Sequence, residues 1–92
     1  MKMLAFYIKV SGRVQGVGFR YSARKAALKF GISGWVRNSH DGSVEILCEG
    51  EENRINKFLS WLEMGPPGSN VSGIEKKAVV YRGHYTSFSI EF

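Results

Sequence analysis

Leu4, Phe6, Ile8 and Val10 alternate with Ala5, Tyr7 and Lys9. An apolar period of two marks a strand with one buried face, so the chain is predicted to open with a β-strand. Ser11-Gly12 through Gly16-Val17-Gly18 breaks that pattern. From Phe19 the period lengthens: Phe19, Ala23, Ala26, Ala27 and Phe30 share one face of a helix, while Arg24, Lys25 and Lys29 fall off it. Gly31 is placed to end that helix. Residues 32–38, with Trp35 and Val36, read as a short strand. Ser39-His40-Asp41-Gly42 is a turn, Asp-Gly being a strong hairpin signal. Val44, Ile46 and Cys48 alternate with Glu45, Leu47 and Glu49 on the return strand. Glu51 and Glu52 suit a helix start, where carboxylates meet the positive end of the dipole. Ile55, Phe58, Leu59 and Leu62 form that helix's apolar stripe, and Gly65-Pro66-Pro67-Gly68 stops it. Residues 74–82 and 86–92 are predicted as two further strands, with Val80, Phe88, Ile90 and Phe92 in the core and Gly83-His84-Tyr85 as a turn or bulge between them.

The predicted order is β-α-β-β-α-β, with room for an extra short C-terminal strand. This is an α+β, ferredoxin-like split βαβ sandwich, an antiparallel sheet with two helices on one face. Ninety-two residues make one domain, 1–92. No linker, repeat or low-complexity stretch divides it. No apolar run approaches the length of a membrane span, and the first residues lack a signal peptide's apolar core. Cys48 is the single cysteine, so it forms no internal disulfide and cannot alone hold a structural zinc. A reducing cytoplasm is the expected address.

Charge changes the picture. The net charge is +5, and its distribution is uneven. Lys2, Lys9, Arg13, Arg20, Arg24, Lys25, Lys29 and Arg37 precede the first acid, Asp41. Such a field attracts anions, whether nucleic acid, an acidic membrane or a small phosphate, although a solvated basic helix face would look the same. An RNA-binding domain of this architecture displays stacking aromatics on its central strands. The strand at 44–49 has none.

The loop before the first helix offers a more definite chemistry. Gly12-Arg13-Val14-Gln15-Gly16-Val17-Gly18-Phe19-Arg20 places glycines, which permit positive φ, directly before a helix start. Successive N–H groups in such a loop can form an anion-binding nest, and the helix adds its own unpaired amides. Arg20 could supply a planar fork for two phosphate oxygens. The segment is neither a Walker A loop nor a dinucleotide fingerprint, and by itself it equally fits a tight crossover that needs glycine for steric reasons. Asn38, at a strand end, reads either as a turn residue or as a carboxamide that orients a water.

Together the two segments are specific. Residues 10–20, Val10-Ser11-Gly12-Arg13-Val14-Gln15-Gly16-Val17-Gly18-Phe19-Arg20, resemble the first signature of the acylphosphatase family. Gly34-Trp35-Val36-Arg37-Asn38, followed by Gly42, Val44 and Gly50, resembles the second, and Leu62 to Pro67 looks like the family's second-helix exit. The resemblance spans the chain without a departure at a motif position. It implies metal-independent, cofactor-free hydrolysis of a small-molecule acyl phosphate to carboxylate and inorganic phosphate, the latter also an inhibitor. It implies phosphate binding by Gln15, Gly16, Val17, Gly18, Phe19 and Arg20, with Arg20 and Asn38 catalytic and Asn38 orienting the water. A monomer is expected, with no nucleic-acid or membrane partner. A nucleic-acid-binding module and a phosphate-binding module without turnover are the alternatives.

The basic N-terminal region offers no carboxylate base and no thiol nucleophile. For a phosphate monoester that would be a serious gap, because an alkoxide leaving group needs a proton. An acyl phosphate releases a carboxylate, whose conjugate acid has a pKa of about 4. It departs unaided, so positioning and charge stabilisation suffice. His40, His84 and Cys48 are assigned no catalytic role, and Trp35, Phe58, Trp61 and Phe88 are assigned to packing.

Overall fold

The computed structural model describes residues 2–92. Five strands and two helices follow in the order β1 (Met3–Arg13), α1 (Phe19–Phe30), β2 (Ser33–Asn38), β3 (Val44–Glu51), α2 (Glu52–Met64), β4 (Asn70–Ala78) and β5 (Phe88–Glu91). The strands lie side by side as β4-β1-β3-β2-β5. The first four pair antiparallel, as the hydrophobic pattern predicts. The fifth adds to β2 in parallel, so the sheet is mixed rather than wholly antiparallel. α1 packs over β2 and β5, and α2 over β1, β3 and β4.

The core forms where the two periodicities meet. Ile8, Val10, Val36, Val44, Ile46 and Cys48 from the strands are fully buried against Phe19, Ala23, Ala27, Ile55, Phe58 and Leu62 from the helices. Small residues on α1 let it approach the sheet, and larger ones on α2 fill the remaining space. Trp61 stacks on Phe58 at 6.4 Å and tilts against Phe19 at 5.9 Å, while Phe58 meets Phe88 edge-on at 5.8 Å. This aromatic run fixes both helices and β5 to one another. Burial pushes the Cys48 thiol up to about 12, as befits a core residue. Gly31 ends α1 as expected, its left-handed φ of 72° aiming its N–H at the carbonyls of Ala27 and Leu28.

The C-terminal third departs from the pattern-based expectation. β4 starts and stops earlier than 74–82, and β5 is shorter than 86–92. The two are not joined by a hairpin turn at 83–85. They sit on opposite edges of the sheet, and residues 79–87 connect them. Val80 is therefore exposed rather than core, and so is Phe92, while Phe88 is buried as predicted. Two hydrogen bonds that no periodicity announces hold the connection. Glu49 is 1% exposed, and its two carboxylate oxygens accept the backbone N–H groups of Arg82 (2.8 Å) and Gly83 (3.1 Å). A buried carboxylate must find such donors, and these two hold the 79–87 segment against β3 between the β4 and β5 edges. Trp35 also departs from core packing: it lies half-buried beneath the Arg37 guanidinium, 4.5 Å from its ring centre.

Candidate active site

β1 delivers the chain into the glycine loop, and α1 begins immediately beyond it. Gly16 and Gly18 take φ values of 75° and 74°, in the left-handed region that side chains disfavour. A Cβ at either would meet nothing within 4 Å. The requirement is therefore conformational rather than steric, and the space before both glycines stays open. Phe19, 1% exposed, anchors the start of α1 in the core. The first intrahelical bond runs from Ser22 N–H to the Gly18 carbonyl at 3.0 Å. The amides of Phe19, Arg20 and Tyr21 precede that bond, and Gly18 has no side chain to cap them. An uncapped helix start of this kind favours an anion.

β2 brings the second part. Successive strand residues face opposite ways, so Asn38 shares a face with Val36, which is buried toward the helices. Arg37 faces the other way, where its Nε donates to Glu45 Oε1 at 3.0 Å and Tyr7 donates to the second oxygen of the same carboxylate. The donated hydrogen bond from Tyr7 and the charge of Arg37 hold the Glu45 carboxyl below its ordinary pKa. Asn38 thus emerges beside the start of α1, while its charged neighbour is spent on the far face.

These pieces line one cavity of about 190 Å³, bounded by Val14, Gly16, Gly18, Phe19, Arg20, Tyr21, Asn38, Ile90 and Phe92. Glycine has no side chain, so at Gly16 and Gly18 the wall is backbone. Among the eight basic residues of the N-terminal region, Arg20 alone lines the cavity. Its guanidinium sits 5.0 Å from the centre of the Phe92 ring and donates to the Glu91 carbonyl at 3.4 Å. Arg24, one helical turn later, donates to the Phe88 carbonyl at 3.1 Å. Two arginines of α1 therefore clip β5, and β5 in turn holds Arg20 at the cavity's edge.

Of the residues singled out by sequence, Gly16, Gly18, Phe19, Arg20 and Asn38 meet at this cavity, whereas Gln15 and Val17 do not line it. The Gln15 carboxamide is engaged elsewhere. Its Nε2 donates to the carbonyls of Ser39 (2.8 Å) and Ser43 (2.9 Å), one on each arm of the turn that follows Asn38. That turn is closed further by Ser39 N–H on the Ser43 carbonyl and by the Asp41 carboxylate, which accepts both the N–H and the hydroxyl of Ser43. Lys9 pairs with Asp41 and, with Ser43, holds its carboxyl well below the usual carboxylate range. Gln15 thus ties the phosphate-loop candidate to the strand end that presents Asn38. Tyr21, Ile90 and Phe92 were not named by sequence as site residues. Tyr21 follows Arg20 on the first turn of α1, the only local signal of its position.

Residues 6–90 match the acylphosphatase family model. The chain belongs to the acylphosphatase family. It is 48% identical over 91 residues to an acylphosphatase of Archaeoglobus fulgidus, covering 98% of this chain and 100% of that one. It is 47% identical over 83 residues to the acylphosphatase of Pseudomonas paraeruginosa, covering 90% and 91% of the two chains. The solved acylphosphatase of Bacillus subtilis superposes with a TM-score of 0.93 at 43% identity, over 97% of this chain and 99% of that one. The chain is an enzyme of the hydrolase class, with an acyl phosphate as its class of substrate.

The Gln15 clamp is testable through pH. Glu in its place loses both donors and sets a carboxylate against two carbonyl oxygens, which favours the protonated acid. The Gln15→Glu variant is expected to be about 2–3 kcal/mol less stable than the parent at pH 7.5 and to recover part of that loss as pH falls and the introduced carboxyl protonates. Urea unfolding of both proteins at pH 7.5 and 5.5 measures it. A deficit that is constant across that range contradicts the clamp.

Proposed function

We propose that the cavity holds the phosphoryl group of an acyl phosphate, with the backbone of residues 15–19 and the Arg20 guanidinium on its oxygens and the Asn38 carboxamide on the attacking water. The observation that carries this reading is the meeting of Gly16, Gly18, the uncapped start of α1, Arg20 and Asn38 on one cavity that, among the described residues, no Asp, Glu, Cys or His side chain lines. Such a lining binds and polarises a dianion but offers no side chain that takes a proton at neutral pH. That matches a substrate whose leaving group needs none.

The water oxygen attacks phosphorus while the bond from phosphorus to the acyl oxygen breaks. The carboxylate leaves with the bonding pair. A proton of the water passes to a phosphoryl oxygen, and inorganic phosphate remains in the cradle until it dissociates. The Asn38 carbonyl oxygen accepts a hydrogen bond from the water and so fixes its approach, but an amide does not act as the base. Arg20 faces the charge spread over the phosphoryl oxygens. At 4 Å and an effective dielectric near 20, one such pair interacts by about 4 kcal/mol, roughly three powers of ten in rate or affinity. The remaining lysines and arginines act from outside the cavity, screened by salt within about 8–10 Å, and contribute to encounter rather than turnover. The protein works as a monomer in the cytoplasm and requires neither metal nor cofactor.

Two variants separate the roles. Lysine replaces the Arg20 fork by a point charge, so Arg20→Lys is expected to lower kcat/KM for acetyl phosphate by at least about a hundredfold. Asn38→Ala is expected to lower kcat by about a hundredfold while the inhibition constant of inorganic phosphate stays within about twofold. Near-normal turnover by the first variant contradicts the bidentate role. Loss of phosphate affinity with surviving kcat in the second contradicts the division of labour.

A further inference from the structure

A second concavity lies between the two helices, and the phosphate cavity shares no lining residue with it. It is a groove of about 370 Å³. Phe30 and Ala26 of α1, Trp61 of α2, and Pro66 and Pro67 at the exit of α2 give it an apolar lining. Lys25 and Lys29 of α1 complete it. A largely apolar hollow of this size with a few polar groups is the form that small-molecule sites take.

Its walls are set before any ligand arrives. The Trp61 ring is stacked on Phe58 at 6.4 Å and held by Phe19 at 5.9 Å, so it stands as a fixed platform. The exit of α2 is closed by Gly65 N–H on the Trp61 carbonyl at 2.9 Å and by the Ser69 hydroxyl on the Pro66 carbonyl at 2.6 Å. Gly65 takes a φ of 67°, and a Cβ there would collide with the Ser69 hydroxyl.

The charge at the groove is of one sign. Lys25 and Lys29 are four positions apart on α1, so they are neighbours on one helix face. Among the described residues no Asp or Glu lines the groove, and neither lysine pairs with a carboxylate. Lys29 lies in the last turn of α1, where a cation meets the negative end of the dipole. Lys25, in mid-helix, has no such partner. Past Phe30 an adjoining hollow carries Lys29, Arg54 and Lys57, but there Glu51 lies 3.6 Å from Arg54 and offsets its charge. The uncompensated cations therefore belong to the apolar groove.

We propose that this groove is a second ligand site, for a flat apolar molecule that carries an anionic group. The ring lies against Trp61 and the prolines, and the anion lies between Lys25 and Lys29. Inorganic phosphate or acetate has the charge without the ring, and a neutral aromatic has the ring without the charge. Each alone satisfies half of the groove.

Naphthoate is the probe, titrated into the protein with inorganic phosphate held at saturation so that the phosphate cavity is filled. The Trp61 indole N–H and the amides of Lys25 and Lys29 are expected to shift on one saturable curve in proton–nitrogen correlation spectra. Neutral naphthylmethanol and acetate are each expected to bind there at least about tenfold more weakly. The Lys25→Gln/Lys29→Gln double variant is expected to lose about tenfold in naphthoate affinity, and Lys25→Arg/Lys29→Arg to keep it, with kcat for acetyl phosphate within about twofold of the parent in both. A Trp61 indole that naphthoate leaves unmoved overturns the site. Equal binding of naphthylmethanol, or an undiminished affinity in the glutamine variant, overturns the role of the lysines, and equal binding of acetate overturns that of the apolar lining.

Discussion

A helix begins with amides that its own carbonyls cannot reach, and something else must satisfy them. Most helices answer with a serine, threonine or aspartate at the cap. α1 has Gly18 instead, in a conformation that a side chain would resist. The proposed cradle depends on that omission: the amides of Phe19, Arg20 and Tyr21 are left for a ligand. With glycine at the cap, the omission costs only about a few tenths of a kcal/mol of helix stability. Phe19 in the core and the aromatic contacts around Trp61 offset it at the same end of the helix.

Around that end the fold fixes groups drawn from distant parts of the chain. Gln15 spans from the loop to both arms of the β2–β3 turn, so the strand end bearing Asn38 cannot drift from the glycines. Arg20 and Arg24 reach the carbonyls of β5, which is an edge strand added in parallel to β2. Glu49, buried on the opposite side of β3 from the core, holds the segment that carries the chain to that edge. The basic N-terminal region is thereby sorted. Lys9 and Arg37 are neutralised on the open face by Asp41 and Glu45, and Arg20 alone among those cations lines the cavity.

Much of this was legible in the residues, and the boundary of legibility has a physical basis. Local period and local punctuation announced β1, α1, β2, β3 and α2, because a glycine at a helix end or an Asp-Gly turn acts on its own neighbours. The glycine loop, Arg20 and Asn38 could be marked for the same reason. What failed depends on hydrogen bonds between residues far apart in sequence. Arg20 and Glu91 are separated by 71 positions, and Glu49 and Arg82 by 33. No local pattern encodes either, so the 79–87 crossing read as a hairpin and Phe92 read as core. Gln15 was marked for phosphate by its place in a motif, although its carboxamide is spent on the turn. Tyr21 and Phe92 were passed over because an exposed aromatic looks like any other until the fold sets it beside a cavity.

The central claim is that main-chain amides at the start of α1, with one guanidinium, receive the phosphoryl group. Titration of the isotopically labelled protein with inorganic phosphate, followed by amide proton–nitrogen correlation spectra, addresses those groups directly. The amides of residues 16–21 and the Arg20 side chain are expected to shift together along a single saturable curve. Shifts confined instead to the exposed Lys25 and Lys29 face of α1, with the glycine loop unmoved, would contradict it.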